Sequence, residues 1–362
     1  MSLDPKSAVM LIPSLEPDDR LPAYVERLKE KGFERFVIVD DGSSERYQSI
    51  FSRLATMEDV TVLHHEVNRG KGCALKTGYT YIRDHIPAAS GVITADADGQ
   101  HTVEDCWKLA QALTEDKHVL YLGSRDFNLP HVPPKSRSGN KITSRVFWAL
   151  YGQYLPDTQT GLRAFKREEL QFMIDVAGER FEYEMNVLIA CARANIQMVP
   201  ITIETVYENE NAGTHFHPIR DSYRIYKVIL GSFVKFMGAS IASFVIDQGV
   251  FALFFYVILA SMQTGHEFLS SVIARLISAP CNFLMNRSFV FKFKSDAKSA
   301  AWKYAVLCVG ILLLSAVGLE ALMTLLRIPD ALASLMKLIV DTVLYFLSYR
   351  IQNKWVFKED LK

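Results

Sequence analysis

The chain has 362 residues, 40 of them basic and 40 acidic, and 49% of it is hydrophobic. That length accommodates two domains. The balanced charge gives no reason to expect a nucleic-acid partner. Its five cysteines are widely spaced without a Cys-x-x-Cys pair, which indicates neither a disulfide framework nor a zinc knuckle and suits a reducing compartment. The average conceals a shift: the first 230 residues read as a soluble protein, whereas the last 125 or so are dominated by apolar runs.

Short apolar runs alternate with helical patterns through the first half. Ala8–Ile12 is too short for the apolar core of a secretory signal and reads as a strand, followed by a helix over Pro22–Lys31. Phe36–Val39 precedes a helix over Ser44–Ala55, Val60–Leu63 precedes one over Cys73–Arg83, and Gly91–Ala95 precedes one over Val103–Leu113. Val119–Leu122 is the next strand. This rhythm predicts an open parallel sheet covered by helices on both faces, with ligands bound outside the carboxyl ends of the strands.

Polar groups cluster at those ends. Pro13 and Glu16 follow the first strand, Asp40-Asp41-Gly42-Ser43 the second, Asn68-Arg69-Gly70-Lys71-Gly72 the third, and Asp96-Ala97-Asp98-Gly99-Gln100-His101 the fourth. Each group alone reads as a solvated turn; four at successive strand ends read as one site. Two carboxylates one residue apart suit a hard divalent cation, Mg²⁺ or Mn²⁺, whose shell is completed by substrate phosphates. Asp40 or Asp41 can accept hydrogen bonds from a ribose or a base edge. Gly70 and Gly72 would let the backbone approach an anion at a helix start, with Arg69 and Lys71 adding positive charge. Neither a Gly-x-Gly-x-x-Gly fingerprint nor a Walker loop is present, so hydride transfer and ATP hydrolysis have little support.

Between residues 133 and 156, Lys135, Arg137, Lys141 and Arg145 share a helix-length segment with Val146, Phe147, Trp148, Leu150 and Tyr151. A basic amphipathic helix with aromatics suits an anionic membrane surface; an ordinary surface helix is the alternative. Four apolar stretches then follow, Met237–Met262, Phe268–Phe291, Tyr304–Leu326 and Leu332–Phe357, each near the roughly 20 residues that span a bilayer. Arg275 interrupts the second, and Lys337, Asp341 and Arg350 interrupt the fourth. Lys292, Lys294, Lys298 and Lys303 crowd the second connection and Lys354, Lys358 and Lys362 the tail, whereas the third connection has only Arg327. By the positive-inside rule both termini and the middle loop are cytoplasmic. The intramembrane charges Asp247, Arg275, Glu320, Lys337 and Asp341 are either functional groups or internal salt bridges of the bundle.

The ordered series Pro13-x-x-Glu16, Asp-Asp-Gly-Ser, Asn-Arg-Gly-Lys-Gly, Asp-x-Asp-Gly-Gln-His and Gly123-Ser124-Arg125 resembles the family 2 glycosyltransferases of the GT-A fold, and within them the dolichol- and polyprenyl-phosphate sugar transferases. The resemblance covers residues 8–225. It continues in Asp157-Thr158-Gln159-Thr160-Gly161-Leu162-Arg163, in Phe181-Glu182-Tyr183-Glu184 and in His215–Asp221. Residues 232–358 resemble the GtrA-like membrane domain through Asp247, Asn282-Phe283, Asn286-Arg287, Asp341 and Lys354-Trp355-Val356-Phe357. The expected architecture is therefore an α/β GT-A domain with a mostly parallel, Rossmann-like sheet over residues 1–219, a juxtamembrane segment over 220–235, and an all-α domain of four transmembrane helices over 236–358.

The resemblance implies metal binding by Asp96, Asp98 and Gln100, nucleotide binding by Asp40 and Asp41, and an acceptor site around Asp157. The expected reaction moves a hexose from a nucleotide diphosphate to polyprenyl phosphate at the cytoplasmic face of a bacterial plasma membrane, with inversion. Pro13, Glu16, Lys71, Asp96 and Arg220 join Asp40 and Asp41 on the donor side. Arg125, Arg137 and Arg163 are the acceptor-side cations. The acceptor phosphate is already ionised, so Asp157 is either a weak base or a positioning group. UDP-glucose is the first choice of donor. Expected partners are the nucleotide sugar, the lipid phosphate and the membrane, with a homo-oligomer open. A processive polysaccharide synthase would need a Gln-x-x-Arg-Trp motif, which is absent; a flippase with a binding-only soluble domain is the other rival.

Overall fold

The computed structural model describes residues 3–113, 118–130, 132–204, 218–262, 264–293, 296–325 and 332–358. The expected match at His215–Asp221 begins outside these residues, and the side chains of 218–222, Arg220 among them, are outside them too. Lys294, Arg327 and Lys362, used for topology, also lie outside. The chain divides into two compact units, one holding most of residues 1–228 and the other most of 229–360.

In the first unit the elements run β1 (Val9–Ser14), α1 (Arg20–Lys31), β2 (Arg35–Asp40), α2 (Gln48–Ala55), β3 (Val60–His64), α3 (Lys71–His85), β4 (Gly91–Thr94), α4 (Val103–Ala112), β5 (Val119–Arg125), α5 (Pro134–Tyr151), β6 (Arg163–Lys166), α6 (Leu170–Asp175), α7 (Glu182–Ala194) and β7 (Gln197–Ile203). They form one seven-stranded sheet in the order β3-β2-β1-β4-β6-β5-β7. Every residue of β1 and β4 is buried, which is why these strands read as unbroken apolar runs rather than alternating ones.

All pairings are parallel except those of β6, which runs antiparallel to both β4 and β5. Neither β6 nor β7 is among the strands expected from the apolar runs. Strand β6 is four residues long with Arg163 and Lys166 at its ends, so it lacks the apolar run of an interior strand although it lies between β4 and β5. Its reversal matters for the site. Arg163 sits opposite Thr94 and Leu122, so the loop entering β6 opens at the edge where β4 and β5 end.

Helix α5 buries Phe147, Leu150 and Tyr151 and leaves Ile142 and Trp148 about half exposed, with Lys141 and Arg145 exposed beside them. These four recur at helical spacing, so they share one face.

The second unit is helical: α8 (Pro218–Leu253, which begins in the first unit), α9 (His266–Met285), α10 (Ala297–Leu325) and α11 (Ala333–Ile351). Wider π turns extend α8, α9 and α11 at 254–258, 286–290 and 352–356. Three stretches among the described residues are long and apolar enough to cross a membrane: Ile225–Ile258, His266–Val290 and Ala297–Leu325. The fourth expected span does form a helix, but α11 carries Lys337, Asp341 and Arg350 within 19 residues and falls short of the same measure.

Four of the charges within the helices form two pairs among the described residues. Asp247 accepts from Ser278 Oγ at 2.7 Å and lies 3.6 Å from Arg275 Nε. Lys337 and Asp341 pair at 2.9 Å, and Ser315 donates to Asp341 at 2.6 Å. Pairing lowers the cost of such groups in an apolar medium and favours the internal-bridge alternative.

Candidate active site

The ends of β1, β2, β3, β4 and β5 all lie on one edge, and the first three loops there are tied together. Glu16, at a left-handed φ of 49°, donates its N–H to Ser43 Oγ (2.8 Å) and its carboxylate accepts from Ser44 Oγ (3.3 Å). Pro13 is buried within β1.

Asp40 and Asp41 are almost completely buried, and both are engaged within the fold. Asp40 accepts from Ser43 N (2.8 Å), Gln48 Nε2 (3.1 Å) and His64 Nδ1 (3.0 Å). Burial alone would raise its carboxyl, but the bonds from Ser43, His64 and Gln48 outweigh it and hold the group below its usual value. Asp41 accepts from Arg69 N (3.0 Å), Gly70 N (2.7 Å) and His65 Nδ1 (2.7 Å), and His65 Nε2 meets Thr77 Oγ1 at 2.9 Å. A carboxylate that gathers two backbone amides and an imidazole is shaping a loop. The loop it shapes is Asn68–Gly72.

The glycines of that loop permit a close contact within the fold. Gly70 has φ 100°, and a Cβ there would lie 2.5 Å from Arg180 Cγ and 2.6 Å from Glu179 O; one on Gly72 would meet Tyr183 Cβ at 2.6 Å. Cys73 N donates to Glu179 O at 2.9 Å. The start of α3 is therefore packed against the chain leading into α7, and the small residues permit that contact.

Lys71 emerges from this clamp. Its Nζ lies 2.6 Å from Asp96 Oδ1 and 2.9 Å from Glu184 Oε1. Burial works against the ammonium, but the two carboxylates outweigh it, and the Lys71 pKa is raised. Burial likewise opposes the Asp96 carboxylate; Lys71 and His101, whose Nε2 is 3.4 Å away, prevail and hold it well below the usual range. Asp98 behaves oppositely. Partial burial and the neighbouring Asp96 charge raise it, against a bond from Gln100 N at 3.0 Å. Asp98 is the exposed member of the pair and Gln100 is half-buried beside it. On the other side Gly161 presses on Asp96: a Cβ at Gly161 would fall 2.4 Å from Asp96 Oδ2.

Asp157 is 1% exposed. Its oxygens accept from Arg125 Nε (2.7 Å), Arg125 Nη2 (3.2 Å) and Gln159 N (2.9 Å). This two-pronged pair leaves Arg125 partly exposed at the end of β5, its guanidinium 5.2 Å above the Phe127 ring. Asn140 and Ser144 of α5 donate to Pro156 O, fixing the residue before Asp157. The arrangement has Asp157 orient the Arg125 guanidinium.

Arg163 is 4% exposed and donates to Thr160 O (3.1 Å) and Glu184 O (2.9 Å), so it underpins the site instead of facing it. Arg137 is half-buried and donates to Leu129 O at 2.9 Å. The structure thus brings together Lys71, Asp96, Asp98, Gln100, Arg125 and Asp157 at one edge, places Asp40, Asp41 and Arg163 beneath it, and adds Glu184 and His101. Glu184 was visible only as part of the Phe-Glu-Tyr-Glu motif, without a role.

Among the described residues no three His, Cys, Asp or Glu side chains converge as a self-sufficient metal cage. Two carboxylates and an amide oxygen on one loop would fit a hard cation that shares its shell with phosphates.

Two family descriptions match the chain: Glycosyl transferase family 2 over residues 10–172, and the GtrA/DPMS transmembrane domain over 235–357. An uncharacterised protein of Methanocaldococcus jannaschii is 29% identical over 225 residues, spanning 61% of this chain and 90% of that protein. The UDP-N-acetylglucosamine–dolichyl-phosphate N-acetylglucosaminyltransferase of Methanococcus voltae is 27% identical, over 56% of this chain and 86% of its own. The dolichyl-phosphate beta-glucosyltransferase of Saccharomyces cerevisiae is 28% identical, over 54% and 65%. With its mostly parallel GT-A-like sheet and its apolar helices, the chain is a glycosyltransferase that joins a glycosyl transferase family 2 domain to a GtrA/DPMS transmembrane domain.

Proposed function

We infer that this enzyme moves one hexose from a nucleotide-diphosphate sugar, UDP-glucose first among them, to the phosphate of a polyprenol at the cytoplasmic face of the membrane. The observation that carries this reading is the shared edge. A carboxylate pair with a lysine, suited to a nucleotide diphosphate, lies on the same strand ends as an arginine aimed by a buried aspartate, suited to a second phosphate. The polyprenyl-phosphate acceptor is supported by the names of the relatives and by the attached membrane domain.

In the reaction an acceptor phosphate oxygen attacks C1 of the sugar while the C1–O bond to the diphosphate breaks, which inverts the anomeric centre. The attacking phosphate is ionised, so no base need remove a proton. Arg125, held by Asp157, receives the acceptor phosphate, and bidentate geometry suits it to that task. Lys71 receives the donor diphosphate together with Arg220, whose side chain lies outside the described residues. Arg137 and Arg163 act from behind, on the loops that carry these groups. Asp40, Asp41, Pro13 and Glu16 build the donor side. Asp96, Asp98 and Gln100 would hold Mg²⁺ or Mn²⁺, which neutralises charge on the leaving diphosphate.

In the proposed arrangement residues 1–219 are catalytic, 220–235 juxtamembrane, and 236–358 a four-helix membrane domain that includes the charged α11. The face of α5 bearing Lys141, Ile142, Arg145 and Trp148 supports an interfacial role for 133–156, since it combines cations with half-exposed apolar side chains. Incubating the full chain with labelled nucleotide sugar and a short polyprenyl phosphate tests the reading. One sugar per lipid is expected, whereas a polymer would indicate a synthase and no transfer a binding-only domain. UDP-N-acetylglucosamine is the second donor to try, given the Methanococcus voltae relative. Thermal shifts with each donor rank them.

A further inference from the structure

Lys71 makes two ion pairs that the expected roles of its site do not both require. Its ammonium touches Asp96 at 2.6 Å and Glu184 at 2.9 Å, and its side chain is only 17% exposed. Its backbone is immobilised from three directions: the Gly70 amide is held by Asp41, the Cys73 amide by Glu179, and Gly70 and Gly72 are pressed against 179–183. The long side chain is thus the one part able to move. Glu184 is fixed as well, in the first turn of α7, with its carbonyl gripped by Arg163 Nη1 at 2.9 Å.

Lys71 occupies Asp96 Oδ1, so a divalent cation that binds this oxygen displaces the ammonium, because two positive centres on one oxygen repel strongly. We propose that Lys71 is an exchangeable counter-ion and that Glu184 is its fixed post. Without a divalent cation the ammonium bridges Asp96 and Glu184. When the cation takes Asp96, Lys71 withdraws onto Glu184 and presents its remaining N–H bonds to the incoming diphosphate. Glu184 is therefore a positioning residue, acting on metal affinity through Lys71. The inference rests on the reading of Asp96 and Asp98 as the cation site.

Mn²⁺ binding to the full-length protein in detergent, without donor or acceptor, tests it by the electron paramagnetic resonance signal of the free ion. Glu184→Gln strips Lys71 of its alternative partner and should weaken Mn²⁺ binding by about tenfold, the usual scale for two linked binding events. Lys71→Met removes the competitor and should tighten Mn²⁺ binding. Adding Glu184→Gln to Lys71→Met should then change little. An equal loss from Glu184→Gln with either residue at 71 would overturn the exchange, since Glu184 would be acting on the metal directly. Unchanged Mn²⁺ binding in Glu184→Gln would make the pair merely structural. Should Lys71→Met fail to fold, Glu184→Asp decides: it keeps the charge but shortens the reach, so an intermediate loss is expected and wild-type affinity refutes the proposal. Asp98→Asn separates the underlying reading, because Mn²⁺ binding insensitive to that variant would sink the cation site itself.

Discussion

Two aspartate pairs stand at neighbouring strand ends, Asp40/Asp41 after β2 and Asp96/Asp98 after β4, and they do different things. In the first pair both carboxylates are buried and their oxygens are taken by amides, a glutamine and two histidines. In the second, Asp96 is held by Lys71 and, more loosely, by His101, and Asp98 stays exposed with one backbone bond. The residue type and the topological position are the same. What separates them is how many fixed donors surround each group: a saturated carboxylate builds a loop, and an undersaturated one is left to bind.

The sharpest test of that contrast is Asp98→Asn. Because Asp98 is exposed, the fold should be unaffected while transfer drops by about a thousandfold, the scale of losing a principal charge-stabilising group. Kinetics alongside a thermal melt check it; EDTA should reproduce the loss reversibly, and full activity in EDTA would remove the metal from the account. Asp41→Ala should give the reverse signature. It leaves the Arg69 and Gly70 amides and His65 without their acceptor, and a denaturant titration should register a loss of about 3 kcal/mol. An unchanged midpoint would place Asp41 with Asp98 instead.

Asp157 and Arg125 lie between these extremes, a saturated carboxylate aiming a partly exposed cation. Arg125→Lys forfeits the two-pronged geometry and should lower kcat/KM for the lipid acceptor by about thirtyfold while donor affinity stays put. Equal losses for donor and acceptor would show that Arg125 does not divide the two substrates. The smallest effect belongs to Asp40. Its carboxyl is held below the ordinary value of 3.8, so its contribution to stability is complete above that pH and is lost as the pH falls through the lowered value. Asp40→Asn should therefore be less stable than wild type at neutral pH, with the gap closing in acid. A constant gap would mean that the charge contributes nothing.

Much of the site was legible because it is written in loops at the ends of apolar strands. The Asp-Asp-Gly-Ser, Asn-Arg-Gly-Lys-Gly and Asp-x-Asp motifs lie where alternating strands and helices say they should. Their division of labour was not legible. Gly70 and Gly72 leave room for residues 179–183, a contact that nothing in the loop's own sequence announces. Arg163 looked like a phosphate ligand and is buried against two backbone carbonyls. No local pattern distinguishes an arginine that faces a ligand from one that braces a loop, because the distinction is a matter of what packs over it.

By itself the sequence determined the alternation of strands and helices, the edge of the sheet at which the candidate groups gather, and the apolar helices that follow. Those are consequences of period and composition, read within a window of a few residues. Only the tertiary structure decided that β6 enters reversed between β4 and β5, bringing Asp157 and Gly161 to the edge where Asp96 stands, and that Glu184 reaches Lys71. Both depend on pairings between residues far apart in the chain, whose energy comes from burial and charge at the meeting point, and neither leaves a mark in the local sequence.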